Sequence, residues 1–222
     1  MVELKNITKI YELSKSDKVT ALDDVNLFIK EGEVVVLSGA SGSGKSSILS
    51  LIAGLSKPTS GEVIVGDKKI SKLSDNFASQ FRRDNIGFIF QKYNLLPNLT
   101  VRDNILLPLV PLNPDADVAE EKLAHVMQLF SISHKADVLV KNLSGGEQQR
   151  VAIARANINN PKIIIADEPT ANLDEKLSLS FIDILKELKS LGKTIIIATH
   201  DPLFLNLDFV DKKIDIHNGK IV

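Results

Sequence analysis

Cysteine is absent from all 222 residues, which excludes disulfides and thiolate metal sites. An excess of either charge is absent too: 27 basic and 28 acidic side chains leave a formal net charge of −1, mixed along the chain. That balance offers no basic field for nucleic acid and no basic tail for a lipid surface. No nucleic-acid partner is expected. Long apolar runs are also missing. The opening MVELKNITKI lacks the apolar stretch of a signal peptide. Runs such as IIIA are strand-length, far below the roughly 20 residues a membrane span needs. The expectation is a soluble, cytoplasmic protein, so that any work at a membrane would have to go through a partner. A composition of 44% hydrophobic, 25% charged and 5% aromatic residues is that of an ordinary globular chain.

Four short apolar runs bounded by turn residues read as buried strands: Val34 to Leu37, Ile86 to Phe90, Ile163 to Ala166 and Ile195 to Ala198. Helical patterns lie between them. In DEKLSLSFIDILKELKS, Leu177, Phe181, Leu185 and Leu188 recur three or four apart, which is one helix face. Strand, helix and strand in this order predict a largely parallel sheet covered by helices. The first 35 or so residues differ, with Val25, Leu27 and Ile29 alternating in an antiparallel style that EVIVG shares. Asn218-Gly219 between apolar residues predicts a hairpin near the end. The stretch 92–157 has four prolines and a helical pattern, DVAEEKLAHVMQLF, and no strand run. The reading is α/β, with a mostly parallel sheet, an N-terminal antiparallel β subdomain and an inserted helical lobe. One domain is expected to fill 1–222, its core at about 1–91 and 158–222 and its lobe at about 92–157.

The chemistry concentrates in two segments. GASGSGKSS begins one residue after the run VVVL and places Gly39, Gly44, Lys45 and Ser46 in the P-loop register. Glycines let backbone N–H groups turn inward around an anion, and the helix that follows adds its positive end. The cradle so predicted runs from Gly39 through Ser41, Gly42, Ser43, Gly44, Lys45 and Ser46 to Ser47. Lys45 would reach the outer phosphates of ATP, and the Ser46 hydroxyl would ligate Mg²⁺. KIIIADEPT supplies the second half of a P-loop NTPase core: an apolar strand ending in Asp167, suited to hold Mg²⁺ through water, and then Glu168. A carboxylate at that strand edge is placed to orient or deprotonate a water attacking the γ-phosphate.

LSGGEQQR, residues 143–150, sets two glycines and a serine just ahead of a helical pattern. Alone it reads as an N-cap. With the P-loop at 39–46 before it and the acidic strand at 163–168 after it, the chain resembles the ATP-binding subunit of ABC transporters, along essentially its whole length. The resemblance implies further roles. Gln91 looks like the glutamine that contacts Mg²⁺ and water and relays to the helical lobe. Asp174 in ANLD is similar to the acid of the D-loop, and His200 in ATHD to the switch histidine on the γ-phosphate. Tyr11 lies where the family stacks an aromatic on adenine. Ser144, Gly145 and Gly146 would cap the γ-phosphate of ATP held by a second copy of the chain, making a head-to-tail sandwich dimer. His125, His134 and His217 read as surface residues.

Finer texture, in IGFIFQKYNLLPNLTVRDNILLPL, LSGGEQQRVAIARA and ADEPTANLDEK, resembles the lipoprotein-release, macrolide-efflux and cell-division group (LolD-like, MacB-like and FtsE-like). The resemblance implies a separate integral membrane permease, docked near Gln91–Val101, and a place at the cytoplasmic face of the membrane. Tyr93, Leu95, Leu96, Leu99 and Val101 there are either a contact site or core of the helical lobe. Alternatives are a soluble ABC ATPase without a membrane partner, the ATPase of an importer, and a self-sufficient P-loop kinase, which has no need of LSGGE.

Overall fold

The computed structural model describes every residue except Leu13, Lys15, Ser16 and Asn172. Strands β1 (Val2–Glu12), β2 (Lys18–Ile29), β4 (Ser60–Val65) and β5 (Lys68–Lys69) form an antiparallel sheet in the order β2-β1-β4-β5. Its inward residues alternate as a half-buried sheet requires, with Leu22, Val25, Leu27 and Ile29 of β2 buried.

The second sheet comprises β3 (Val34–Ser38), β6 (Ile86–Ile89), β7 (Ile163–Asp167), β8 (Thr194–Ala198), β9 (Lys212–His217) and β10 (Lys220–Ile221). Its order is β10-β9-β3-β8-β7-β6. All its pairings are parallel except β9 with β10. That hairpin turns at Asn218 and Gly219, both at positive φ, as the Asn-Gly pair demands.

Successive residues of the central strands enter different cores. Val34, Val36, Ile164, Ala166, Ile195 and Ile197 pack with the helices α3 (Val101–Leu106), α4 (Ala116–Leu129), α5 (Gly145–Asn157) and α6 (Glu175–Ser190). Their neighbours Val35, Leu37, Ile163, Ile165, Ile196 and Ala198 pack with α1 (Lys45–Ile52) and the antiparallel sheet. A strand buried on both faces must be apolar at every position, which is why these runs do not alternate. Helix α2 (Asp75–Asn85) lies just ahead of β6. The buried side chains of α3, α4 and α5 continue without a break into the sheet face they cover.

The expected apolar face of α6 is present: Phe181, Leu185 and Leu188 are fully buried and Leu177 is half-buried. His125, His134 and His217 are exposed. One glycine exposes how tightly the layers meet. A Cβ on Gly87 of β6 would lie 2.4 Å from the carbonyl oxygen of Ala156 on α5. Gly87→Ala is therefore expected to lower stability by about 1–3 kcal/mol through overpacking, read as a lower urea midpoint at unchanged slope.

Candidate functional site

The P-loop connects the buried strand β3 to α1, at the C-terminal edge of the parallel strands where ligands sit in open α/β sheets. Two glycines are required by close approach. A Cβ on Gly39, φ 145°, would lie 2.2 Å from the carbonyl oxygen of Ile216 on β9. One on Gly44, φ 112°, would lie 2.7 Å from that of Ala21 on β2. The loop is thus wedged between the β9–β10 hairpin and β2, and Gly219 donates its N–H to the Ser43 carbonyl at 2.9 Å. Gly42 has φ 78° and open space around it, and Ser41 is exposed. Gly44 caps α1 in the left-handed region without any side-chain bond, leaving the first turn's N–H groups to the loop.

Lys45 is only 5% exposed. Its ammonium donates to the carbonyls of Gly39 at 2.7 Å and Ala40 at 3.1 Å, and lies 3.5 Å from Glu168 Oε1. Ser46 Oγ donates to Asp167 Oδ1 at 3.0 Å. Burial pushes the Asp167 carboxyl up, against the lowering effect of that hydroxyl. Glu168 sits at φ 44°, its N–H bound to the carbonyl of Ala198 on β8 at 2.8 Å. A non-glycine residue there holds a backbone its side chain disfavours, a form of strain that clusters at active sites. Its carboxylate is 3.0 Å from Nδ1 of His200. One connected chain of contacts thus joins Lys45, Glu168 and His200, with Ser46 and Asp167 beside it.

Tyr11 flanks this group. Its hydroxyl lies 3.5 Å from Ser47 Oγ, and the Lys9 ammonium lies 4.8 Å over its ring. Gln91 follows β6 in an exposed turn. Asp174 caps α6, its Oδ1 accepting the Leu177 N–H at 2.8 Å, and Asn172 of the same ANLD stretch lies outside the described residues. Ser144 caps α5 in a reciprocal capping box with Glu147. The two glycines of that helix differ in their surroundings. Nothing lies within 4 Å of a Cβ on Gly145, whereas one on Gly146 would meet Leu177 Cδ2 of α6 at 2.5 Å. Gly146 is therefore small because α6 rests on it.

Several contacts were not legible from the motifs. Gln149 Nε2 donates to the Pro169 carbonyl at 3.0 Å, tying α5 to the turn after Glu168. Thr170 Oγ1 donates to Asp201 Oδ2 at 2.8 Å, tying that turn to the segment after His200. Arg155 forks onto the carbonyls of Asn94 at 2.6 Å and Tyr93 at 2.5 Å, two residues at positive φ just past Gln91. An arginine amid VAIARA, otherwise a buried apolar run, was the available signal. The segment itself divides: Tyr93 and Val101 are buried, Leu95 packs on the core and Leu96 is 47% exposed.

The ABC transporter family model matches residues 22–171, and the chain belongs to that family. It is 45% identical over 206 residues to the ABC transporter ATP-binding protein MJ0796 of Methanocaldococcus jannaschii, covering 90% of this chain and 87% of that one. A dimeric structure of MJ0796 in a post-hydrolysis state, bound to ADP and Pi, superposes with a TM-score of 0.90 at 41% identity, covering 100% and 96% of the two chains. The macrolide export ATP-binding/permease protein MacB of Salmonella typhimurium is 39% identical over this whole chain, which spans 34% of MacB. The methionine import ATP-binding protein MetN of Haemophilus influenzae is 45% identical over 202 residues, covering 90% of this chain and 58% of MetN. The likeness to MJ0796 and MacB agrees with the fold and with the macrolide-efflux group to which the motifs point.

Arg155→Lys keeps the charge but loses the planar fork. It is expected to speed amide hydrogen exchange at residues 93–96 by about tenfold while α5 stays protected, since the two left-handed carbonyls lose their shared donor.

Proposed function

We propose that the chain is the ATP-hydrolysing subunit of an ABC transporter-type complex, driving a separate membrane subunit through ATP-dependent head-to-tail dimerisation. The observation that carries this is the chain of contacts from Lys45 through Glu168 to His200 at one edge of the parallel sheet. It puts a cation for phosphate, a carboxylate for water and an imidazole in one group joined by an ion pair and a hydrogen bond. The triphosphate of ATP lies along Gly39 to Ser47. Ser43 Oγ, buried in that loop and without a hydrogen-bond partner, is a donor that a phosphate oxygen would satisfy. Tyr11 stacks on the adenine.

The fit to Mg²⁺ rests on Ser46 and Asp167, hard oxygen donors 3.0 Å apart and next to the cradle. This ion takes one or two protein oxygens and completes its shell with substrate phosphates and water. A cation beside Asp167 would also offset the burial that raises that carboxyl. Ser46, Asp167 and Gln91 would hold it, and when bound it neutralises charge on the phosphates. Glu168 accepts a proton from, or orients, the attacking water. His200 and Lys45 hold that carboxylate and face the transferred group. Ser144, Gly145 and Gly146 of one subunit complete the site of the other, with Asp174 near the same seam. Catalysis is then largely positioning and charge neutralisation.

Among the described residues no helix is long and apolar enough to cross a membrane. A docking surface is available beside Gln91. A groove of about 260 Å³ is lined by Arg82, Arg83, Phe88, Phe90, Pro108 and Arg155, among others. Exposed Leu96 follows in the adjoining loop, so the membrane subunit would be met there, at the cytoplasmic face. The work coupled is that of the macrolide-efflux, lipoprotein-release and cell-division group, namely efflux, lipoprotein release or mechanotransmission, by the texture of the loop and signature segments. The likeness to a methionine import protein supports importer coupling as the second reading.

Glu168→Gln is expected to cut turnover by about 10² or more while sparing ATP binding, and to trap a dimer on ATP in analytical ultracentrifugation. Lys45→Ala is expected to weaken nucleotide binding itself, and unchanged affinity would remove its role. Leu96→Asp is expected to release the membrane subunit in a detergent pull-down while the isolated chain keeps its fold and ATPase. A chain that stays monomeric with ATP in the Glu168→Gln form would overturn the sandwich.

A further inference from the structure

The capping box of α5 contains a conflict. Ser144 gives both its N–H and its Oγ–H to Glu147 Oε2, each at 2.8 Å. The hydroxyl that would cap an opposing phosphate is therefore already donated to a carboxylate of the same chain. That carboxylate, on the third residue of the helix, also sets a negative charge where an anion would arrive. Helix N-termini attract phosphate through free N–H groups and a partial positive charge, and an ionised side chain in the first turn offsets both.

A third contact changes this balance. Lys135, in the turn Ser133–Lys135 that precedes the signature segment, lies 3.0 Å from the other oxygen, Glu147 Oε1. Both partners are more shielded than an ordinary surface pair, with side chains 33% and 25% exposed. We propose that Lys135 is a positioning residue for the phosphate cap: it neutralises Glu147 and holds its carboxylate, so that the Ser144 hydroxyl can leave Glu147 for the phosphate of the opposite subunit. This rests on the reading of Ser144 to Gly146 as the cap on ATP bound by a second copy.

The physical sequence is simple. With Lys135 on Oε1 and the Ser144 N–H on Oε2, the carboxylate keeps two donors after the hydroxyl rotates away. Without Lys135 it would keep one, and the hydroxyl would be held back. The same loss uncovers a full negative charge beside an incoming polyanion. Both effects oppose closure of the dimer, and neither touches the cradle that binds nucleotide in the monomer. The depressed Glu147 carboxyl, held at about 2 by the Ser144 N–H and then by Lys135, agrees with a carboxylate that stays ionised throughout.

The test uses the full chain in the Glu168→Gln background, with MgATP, and reads the dimer dissociation constant by sedimentation. Lys135→Ala is expected to weaken the dimer on the order of tenfold, the effect shrinking at high salt. The monomer's affinity for a fluorescent ATP analogue should not move. Lys135→Arg should restore the dimer. Adding Glu147→Gln to Lys135→Ala should recover most of it, because glutamine still serves the capping box and the charge is gone. If Lys135→Ala dimerises like its parent, the proposal is overturned. If Glu147→Gln brings no recovery, Lys135 acts only on local folding and the proposal is likewise overturned. A parent that fails to dimerise removes the sandwich reading, and this inference with it.

Discussion

The charged half of the site is organised by the need to bury one ammonium group. Lys45 has three protons to donate, and within a nearly closed environment it finds two carbonyl acceptors, on Gly39 and Ala40, and a counter-charge in the carboxylate of Glu168. A buried cation without such partners would be prohibitively costly. The tight turn of the loop, with Gly39 and Gly44 pressed against backbone carbonyls, is what brings those acceptors within reach. The left-handed backbone of Glu168 completes the set. A phosphate arriving in the loop would compete for the same protons, so nucleotide binding and the freedom of Glu168 are linked through one side chain.

The signature helix applies a similar economy to its N-terminus. Its glycines look equivalent in sequence but differ in the fold, since Gly145 opens to solvent and Gly146 supports Leu177. Leu177 belongs to the helix that Asp174 caps. The segment that would meet the opposite subunit's nucleotide is therefore packed directly against the start of α6. Gln149 on Pro169 and Thr170 on Asp201 extend the same connection to both sides of the Glu168–His200 pair.

The parallel sheet, the antiparallel opening, the P-loop and the terminal hairpin were legible because each depends on local pattern: apolar runs, alternation, glycine spacing and an Asn-Gly turn. The gathering of Lys45, Asp167, Glu168 and His200 was legible because Asp167, Glu168 and His200 stand at or just past the ends of apolar runs and Lys45 closes the glycine loop that follows another, and parallel strands deliver such ends to one edge. What could not be read were contacts whose partners are far apart in the chain. Gly87 is small because of Ala156, Gly146 because of Leu177, and Arg155 reaches back to Tyr93 and Asn94. The division of residues 93–101 into buried Tyr93 and Val101, and exposed Leu96, likewise required the tertiary packing. Periodicity alone could not separate a contact loop from a core.

Helix α5 carries the proposed phosphate cap at its first turn and the Arg155 fork near its last. Thirteen helical residues span roughly 20 Å. A hydrogen-bonded helix of that length bends little under small loads. Any tilt imposed where Ser144 meets a second subunit would therefore be delivered, lever-like, to the carbonyls of Tyr93 and Asn94 at the far end.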